Sequence, residues 1–264
     1  MKYFRILILF LTIGLLLNCS KDSEDSPVNG IDKSANLLAT GDSANDILSN
    51  TNFTKLLIEV AYVEGFRPTT ESMNNFQNYL RERTFKTNIE VIYKQLSSPN
   101  EETLTLQEIA DLENENRTAY NEGETIAIYI YFADAPSDDD DEQQGIVTLG
   151  AVYRNTSMVI HEDTVRKLAN RSSLITVSDV ETSTLNHEFG HLFGLVNLGT
   201  NMVNNHEDPT ADNHCDATEC LMRGELEFGG GMMGVLEKSK ISKGAAVPDL
   251  DPECILDLQA NGGR

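Results

Sequence analysis

Segments in which hydrophobic residues form continuous or alternating runs take turns along the chain with segments in which they recur at helical spacing. The first kind predicts strands and the second kind predicts helices. Apolar and β-branched runs predict strands over residues 56–63, 88–96 and 125–133, and two short strands over 146–153 and 157–160. Apolar residues at helical spacing predict amphipathic helices over 70–83 and 106–120. Because strands and helices alternate, we expect an α+β fold built on a twisted, mostly parallel sheet of about five strands with backing helices.

The most apolar predicted helix runs from residue 178 to about residue 196. Ser178 and Glu181 have the spacing of a capping box, in which the two residues satisfy each other's backbone amides at a helix start. Leucines and phenylalanines fill much of the remaining segment, which indicates a buried helix. A shorter helix is predicted over 249–259, after Pro248.

The buried helix carries His187 and His191, which lie four residues apart and therefore on one helical face. Two neutral imidazoles at this spacing suit a zinc ion that keeps an open coordination position. Glu188 follows the first histidine, where its carboxylate can take a proton from a zinc-bound water. Buried histidines and a buried glutamate are costly without a partner, so we predict a catalytic zinc site and not a solvated helix with chance residues.

The stretch from His187 to Gly194 reads HExxHxxG and resembles the start of the metzincin peptidase signature, HExxHxxGxxH. The third histidine of that signature falls on Asn197, whose neutral amide is a poor zinc ligand. Further on, a stretch that begins at His214 resembles archaemetzincins, in which the third histidine is followed directly by a cysteine. Removing residues 197–213 would make the motif continuous. The resemblance therefore implies an inserted loop and makes His214 the favoured third ligand.

Two other third ligands stay open, namely His206 within the inserted loop and Asn197 at the usual position. The resemblance also implies that Met222 is the Met-turn residue beneath the metal, in a metzincin-like fold with an active-site helix and a small C-terminal subdomain. It further implies a zinc-dependent endopeptidase that cleaves a protein or peptide substrate. The unusual third-ligand spacing leaves an alternative, a non-catalytic surface binding lipoprotein with a structural zinc site.

The cysteines permit two interpretations. Archaemetzincins hold a second zinc ion on four cysteines, whereas here Cys215 and Cys220 are followed only by Cys254. A disulfide bond between Cys215 and Cys220 suits an exported protein better, and we therefore expect that bond.

The start of the chain is typical of a bacterial lipoprotein. A basic start precedes an apolar run over 6–17, which is too short for a comfortable membrane span. The residues that end at Cys19 resemble a lipobox, so Cys19 is the expected lipidation site. We divide the chain into a signal peptide (1–18), a flexible tether (19–45) and one peptidase domain (46–264). The residues after Cys19 resemble a surface-export tag, which favours an outer-membrane lipoprotein exposed at the cell surface.

The net charge of −22 changes the expected partners. Such a surface repels nucleic acid and anionic lipid, so contact with a membrane is expected only through the lipid anchor. The acidic run over 137–144 is a weak candidate for binding Ca²⁺, and a solvated loop is the favoured interpretation.

Overall fold

The structure is a computed structural model that describes residues 32–141, 146–227 and 229–264, with no side-chain description at 229 and 230. The predicted signal peptide, the predicted lipidation site Cys19 and the first part of the predicted tether lie outside these residues. No helix in the described ranges is both long and apolar enough to cross a membrane.

Five strands form a single mixed sheet in the order β2-β1-β3-β5-β4. Neighbouring strands are parallel except for β4, which runs antiparallel to β5 and forms one edge. The strands are β1 (Lys55–Val63), β2 (Asn88–Leu96), β3 (Thr125–Ala133), β4 (Gly150–Arg154) and β5 (Ser157–His161). The predicted α+β class with a mostly parallel sheet is confirmed.

Seven α-helices lie in the part of the chain that the structure describes. They are α1 (Ala44–Leu48), α2 (Thr70–Arg83), α3 (Leu106–Asn116), α4 (Glu162–Ala169), α5 (Val177–Leu192), α6 (Gly229–Lys243) and α7 (Pro252–Ala260). The sequence prediction for α2 is confirmed at both ends, whereas α1, α4 and α6 were not predicted. The predicted helix over 106–120 ends early, at Asn116.

Successive side chains of β3 point to opposite faces of the sheet, and the two faces pack in different hydrophobic cores. Ile126, Ile128 and Ile130 are fully buried in the larger core, which also contains residues of α2, α5 and α7. Tyr129 and Tyr131 point to the opposite face and are buried in a smaller core with Ile109 of α3. Each fully buried isoleucine contributes about 1.5–3 kcal/mol, so the larger core fixes α5 firmly against the sheet.

The cap of α5 differs from the prediction. Thr176 is the N-cap, and its hydroxyl accepts a hydrogen bond from the Asp179 amide at 3.1 Å, while Asp179 accepts from the Thr176 amide at 2.9 Å. Ser178 lies inside the first turn, and the Glu181 carboxylate instead accepts a hydrogen bond from the amide of Thr69 at 3.0 Å. Both pairs have the capping-box spacing, and the tertiary contact with Thr69 selects between them.

The helix ends at Leu192, earlier than the predicted end near residue 196. Gly194 has a φ of +74°, which reverses the chain, and a Cβ atom there would lie 2.6 Å from Cγ2 of Thr200. Only glycine suits both the positive φ and the close approach.

Residues that precede position 46, the predicted start of the domain, already pack against it. Asn36 is fully buried, and its side-chain amide donates to the Ala127 carbonyl at 3.1 Å. Asn155 donates to the Ala35 carbonyl at 2.8 Å. Residues 34–45, assigned to the tether from their composition, therefore pack on the domain. At the other end, α7 starts at Pro252 with Asp251 as its cap, later than the predicted start at residue 249.

Candidate metal centres

Three buried histidine side chains meet at the end of α5. His187 and His191 are presented by the helix, and His214 approaches from the segment that follows the loop over 197–213. The ring centroids lie 4.9 Å (His187–His191), 5.3 Å (His187–His214) and 5.1 Å (His191–His214) apart. The rival Asn197 is exposed and has a φ of +63° in the turn after Gly194. The favoured third histidine is therefore the one that the structure places beside the helical pair.

Backbone carbonyls orient two of the three rings. The Nδ1 atom of His187 lies 2.7 Å from the Leu221 carbonyl, and Nδ1 of His214 lies 2.8 Å from the Asp212 carbonyl. With a proton on each Nδ1, Nε2 is the nitrogen of each ring that would ligate a metal, and such outer hydrogen bonds commonly fix the tautomer of histidine ligands. Burial lowers the pKa of His191 well below its usual value, so this imidazole is in the neutral form that ligates metals.

Glu188 is buried beside the three rings. Both of its carboxylate oxygens lack a hydrogen-bond partner among the described residues. Burial, together with the nearby charge of Glu227, raises the pKa of Glu188 well above its usual value. The start of β4 lies directly against it, since a Cβ atom on Gly150 would be 2.7 Å from Cγ of Glu188. The general base predicted from the sequence is therefore held between α5 and the edge strand.

Glu227 completes this cluster, and no sequence motif identifies it. Its Oε2 atom lies 2.5 Å from Nε2 of His214 and 3.9 Å from Nε2 of both His187 and His191. The three imidazoles and this carboxylate offer ligand atoms that all lie within 4.8 Å of one another. Zinc bonds of about 2.0–2.1 Å place tetrahedral ligand atoms roughly 3.4 Å apart, so the donor set fits zinc in type and spacing.

Met222 lies under the histidine pair, at the place that the resemblance implies for a Met-turn. It is fully buried, and a Cβ atom on Gly190 would lie 2.2 Å from its sulfur. The glycine between the two helical histidines therefore leaves the space that this side chain fills.

A cleft of about 1210 Å³ opens onto the histidine cluster. Its walls include Ala151 and Val152 of the edge strand, Leu168 of α4, and the ligand candidates His191 and His214. The edge strand thus borders the same cleft as the histidines.

The three described cysteines form a second cluster and no disulfide bond. Cys215, Cys220 and Cys254 are buried free thiols, so the predicted Cys215–Cys220 bridge is wrong. The sulfurs of Cys220 and Cys254 lie 3.5 Å apart, and Nδ1 of His206 lies 3.4 Å from the Cys215 sulfur and 4.0 Å from the Cys254 sulfur. Nearness in sequence predicts the Cys215–Cys220 pair, whereas the fold also brings the Cys254 thiol of α7 to within 3.5 Å of the Cys220 sulfur.

The loop over 197–213 delivers His206 to this second cluster. The loop folds back on the following segment, where Glu207 pairs with Cys215 and the Asp216 amide donates to the His206 carbonyl at 2.9 Å. Nε2 of His206 contacts Oδ2 of Asp257 at 2.9 Å, which directs Nδ1 toward the thiols. His206 was a rival for the first centre, and the fold assigns it to the second.

Backbone amides also point at the sulfurs. The amides of Ala217 and Met222 donate to the sulfurs of Cys215 and Cys220 at 3.4 Å and 3.3 Å. Hydrogen bonds from the Cys220 and Cys254 thiols hold the pKa of Cys215 well below its usual value. The ligand atoms of His206, Cys215, Cys254 and Asp251 all lie within 4.8 Å of one another, and the Cys220 sulfur lies 3.5 Å from that of Cys254. Nitrogen and sulfur donors of this kind are typical of structural zinc.

The acidic run does not form a comparable cluster in its described part. Asp140 accepts a hydrogen bond from the Thr148 amide at 2.7 Å, and residues 142–145 lie outside the description. No group of three potential ligands occurs in the described residues of this run, so calcium has no support here.

No family model and no curated protein matches the sequence. Among solved structures, the chain is similar to archaemetzincin from Methanopyrus kandleri, with 15% identity, a TM-score of 0.49, and coverage of 80% of this chain and 96% of that one. It is also similar to metalloproteinase-II from Bacteroides fragilis, with 12% identity, a TM-score of 0.43, and coverage of 81% and 55%. A third match, to a chaperone-substrate complex, has 11% identity, a TM-score of 0.40, and coverage of 80% and 35%.

Proposed function

We propose that this chain is a zinc-dependent endopeptidase that hydrolyses peptide bonds in protein or peptide substrates. The observation that supports this most directly is the convergence of three buried imidazoles beside a buried glutamate, at the base of a cleft. A purely structural zinc site needs ligands and no base, yet Glu188 lies beside the ligands with no other partner among the described residues.

In this proposal His187, His191 and His214 hold the metal. A zinc ion supplies Lewis acidity, which polarises a carbonyl and makes water a better nucleophile at neutral pH. Glu188 accepts a proton from the attacking water and passes it to the leaving amine nitrogen. Although burial raises the pKa of Glu188, an adjacent positive charge favours its carboxylate form.

The edge strand β4 supports an extended peptide as the substrate. An edge strand has backbone groups that a peptide can pair with, and β4 is the terminal strand of the sheet on the cleft side. A peptide bound along Ala151 and Val152 would pass Glu188, which lies against Gly150 at the start of this strand.

Replacing Glu188 by glutamine tests the proposed chemistry. The change keeps the shape of the side chain and removes the base, so zinc content should stay at the wild-type level while cleavage of a peptide library is lost. Glu225→Gln is a matched control, because Glu225 lines the same cleft and is paired with Arg223. Undiminished turnover by zinc-replete Glu188→Gln protein would refute the role. A zinc-replete wild type that cleaves no peptide would support the non-catalytic binding protein.

We further propose that His206, Cys215, Cys220 and Cys254 hold a second zinc ion with a structural role. Nitrogen and sulfur ligands without an open position are typical of structural zinc. Such an ion would join the loop before Cys215 to α7, close beneath Met222, whose amide contacts the Cys220 sulfur. Archaemetzincins use four cysteines at their second site, and here a histidine from the inserted loop would take the place of one.

The N-terminal features support attachment of the domain to the outer membrane, facing outward, through a lipid on Cys19. Cys19→Ser should move the protein out of the membrane fraction and abolish palmitate labelling. Persistence of both in this variant would contradict the lipobox interpretation.

A further inference from the structure

Glu227 occupies a position at the histidine centre that catalysis requires to be open. A catalytic zinc site normally has three protein ligands and leaves the fourth position to water or substrate. Here the Oε2 atom of Glu227 lies 2.5 Å from Nε2 of His214 and 3.9 Å from Nε2 of the two helical histidines. These distances bracket the roughly 3.4 Å between the corners of a tetrahedral zinc site. The carboxylate oxygen therefore lies near the fourth corner.

The backbone holds Glu227 in place. Its amide donates to the Gly224 carbonyl at 3.2 Å, and its carbonyl accepts a hydrogen bond from the Leu149 amide at 3.1 Å. The preceding residue, Leu226, is fully buried and anchors the turn. Leu149 directly precedes the edge strand, so this turn is fastened to the part of the sheet that borders the cleft. Rotation about the side-chain torsions of Glu227 can move the carboxylate without breaking these backbone hydrogen bonds.

The side chain is also placed between the metal ligands and the cleft. It is 18% exposed, whereas the His187 side chain is fully buried. Glu227 and Glu188 both line the cleft, and Glu188 has no other partner among the described residues. A small molecule that enters from the cleft therefore needs the coordination position that Glu227 occupies.

We propose that Glu227 is a fourth protein ligand of the metal, which closes the coordination sphere at rest and must leave before substrate binds. The inference rests on the proposed function, because it assumes a metal on the three histidines. It makes a prediction that a merely structural glutamate does not make. Loss of the carboxylate should weaken the binding of metal, yet strengthen the binding of any small ligand that competes for the fourth position.

The test uses the purified full chain, zinc, and acetohydroxamate as a small zinc-binding probe. In Glu227→Ala, zinc affinity measured by chelator competition should fall by about tenfold or more. Loss of a residue that only hydrogen-bonds to a metal ligand already weakens metal binding by about that factor. Acetohydroxamate affinity for the zinc-loaded variant should rise, because no carboxylate has to be displaced. Glu227→Gln, which keeps the shape of the side chain, should shift both affinities in the same directions.

The control and the contrary outcomes separate this inference from the proposed function. Glu225→Gln changes a carboxylate in the same turn and should leave both affinities at the wild-type level. Unchanged affinities in both Glu227 variants, or a fall in both zinc and acetohydroxamate affinity, would overturn the fourth-ligand assignment alone. A wild type that binds no zinc on the three histidines would overturn the proposed function, and the fourth ligand with it.

Discussion

Replacing Asp257 by asparagine alters one hydrogen bond at the second metal cluster and leaves its proposed ligands in place. Asp257 is 1% exposed, and its Oδ2 atom lies 2.9 Å from Nε2 of His206, while Oδ1 accepts from the Val203 amide at 2.7 Å. An asparagine that keeps the Val203 contact presents its amide group to Nε2. Nε2 must then accept a hydrogen bond, the ring proton moves to Nδ1, and the nitrogen that faces the thiols loses its lone pair.

The expected loss follows from this change of tautomer. Outer partners of metal-ligating histidines are typically worth about 10–100-fold in metal affinity. A bound ligand stabilises the native state in proportion to the logarithm of its affinity. At a free zinc concentration above the dissociation constants of both wild type and variant, a 10–100-fold loss of affinity therefore lowers the free energy of unfolding by about 1.4–2.7 kcal/mol. Because Asp257 is almost fully buried and water cannot replace it, we expect a value in the upper half of that range.

Chelator competition and denaturant unfolding at fixed free zinc measure the two quantities. Glu253→Gln is the matched control, because Glu253 lies on the same helix and contacts Asn204 of the same loop at 2.8 Å on an exposed surface. The control should change neither quantity appreciably. If Asp257→Asn is equally destabilised when zinc has been removed from both proteins, Asp257 acts only as a structural hydrogen-bond acceptor, and the reasoning about His206 fails.

Three further predictions concern the two centres, the core and the pH dependence of stability. His214→Ala and His206→Ala should each lose one of two bound zinc ions, and only His214→Ala should lose the ion of the catalytic centre. Metal analysis and peptidase assays measure the two effects. Loss of activity in both variants would contradict this assignment. Gly190→Ala should destabilise the fold by about 1–3 kcal/mol, because a Cβ atom there would lie 2.2 Å from the Met222 sulfur, whereas Gly234→Ala, with no atom within 4 Å, should be neutral or stabilising in thermal unfolding. Burial, reinforced by the Glu181 charge, raises the pKa of Glu162 to about 9, so the folded state retains a proton that the unfolded state releases near pH 4.5. The free energy of unfolding should therefore fall between pH 5 and 9 by up to about 1.4 kcal/mol per pH unit. Glu162→Gln should make this pH dependence smaller in denaturant unfolding measured across that range. An unchanged pH dependence in the variant would contradict the role of Glu162.

The errors in the sequence reasoning have specific physical causes. Two capping boxes overlap at the start of α5, and the bond from Thr69 to Glu181 decides between them. The amphipathic α4 buries Val165 and Leu168, and this spacing is a helix signal in the sequence itself. The start of α6 is rich in glycine, which disfavours a helix locally, so its sequence gave no comparable signal.

The sequence by itself determined what depends on short range. Periodicity identified the five strands and the buried helix, because side chains alternate in a strand and recur every three to four residues in a helix. The four-residue spacing of His187 and His191 likewise places both imidazoles on one helical face in any α-helix.

Tertiary structure alone decided that Glu227 joins the first centre and that His206 joins the second. Glu227 has no motif, and it reaches the histidines because its turn is fastened to Leu149. His206 and His214 stand eight positions apart with similar local sequence, yet one faces the thiols and the other faces α5. The physical reason is that a ligand site depends on where side chains from separate elements converge, and no periodicity records the path of a loop such as 197–213 or its docking on Asp257.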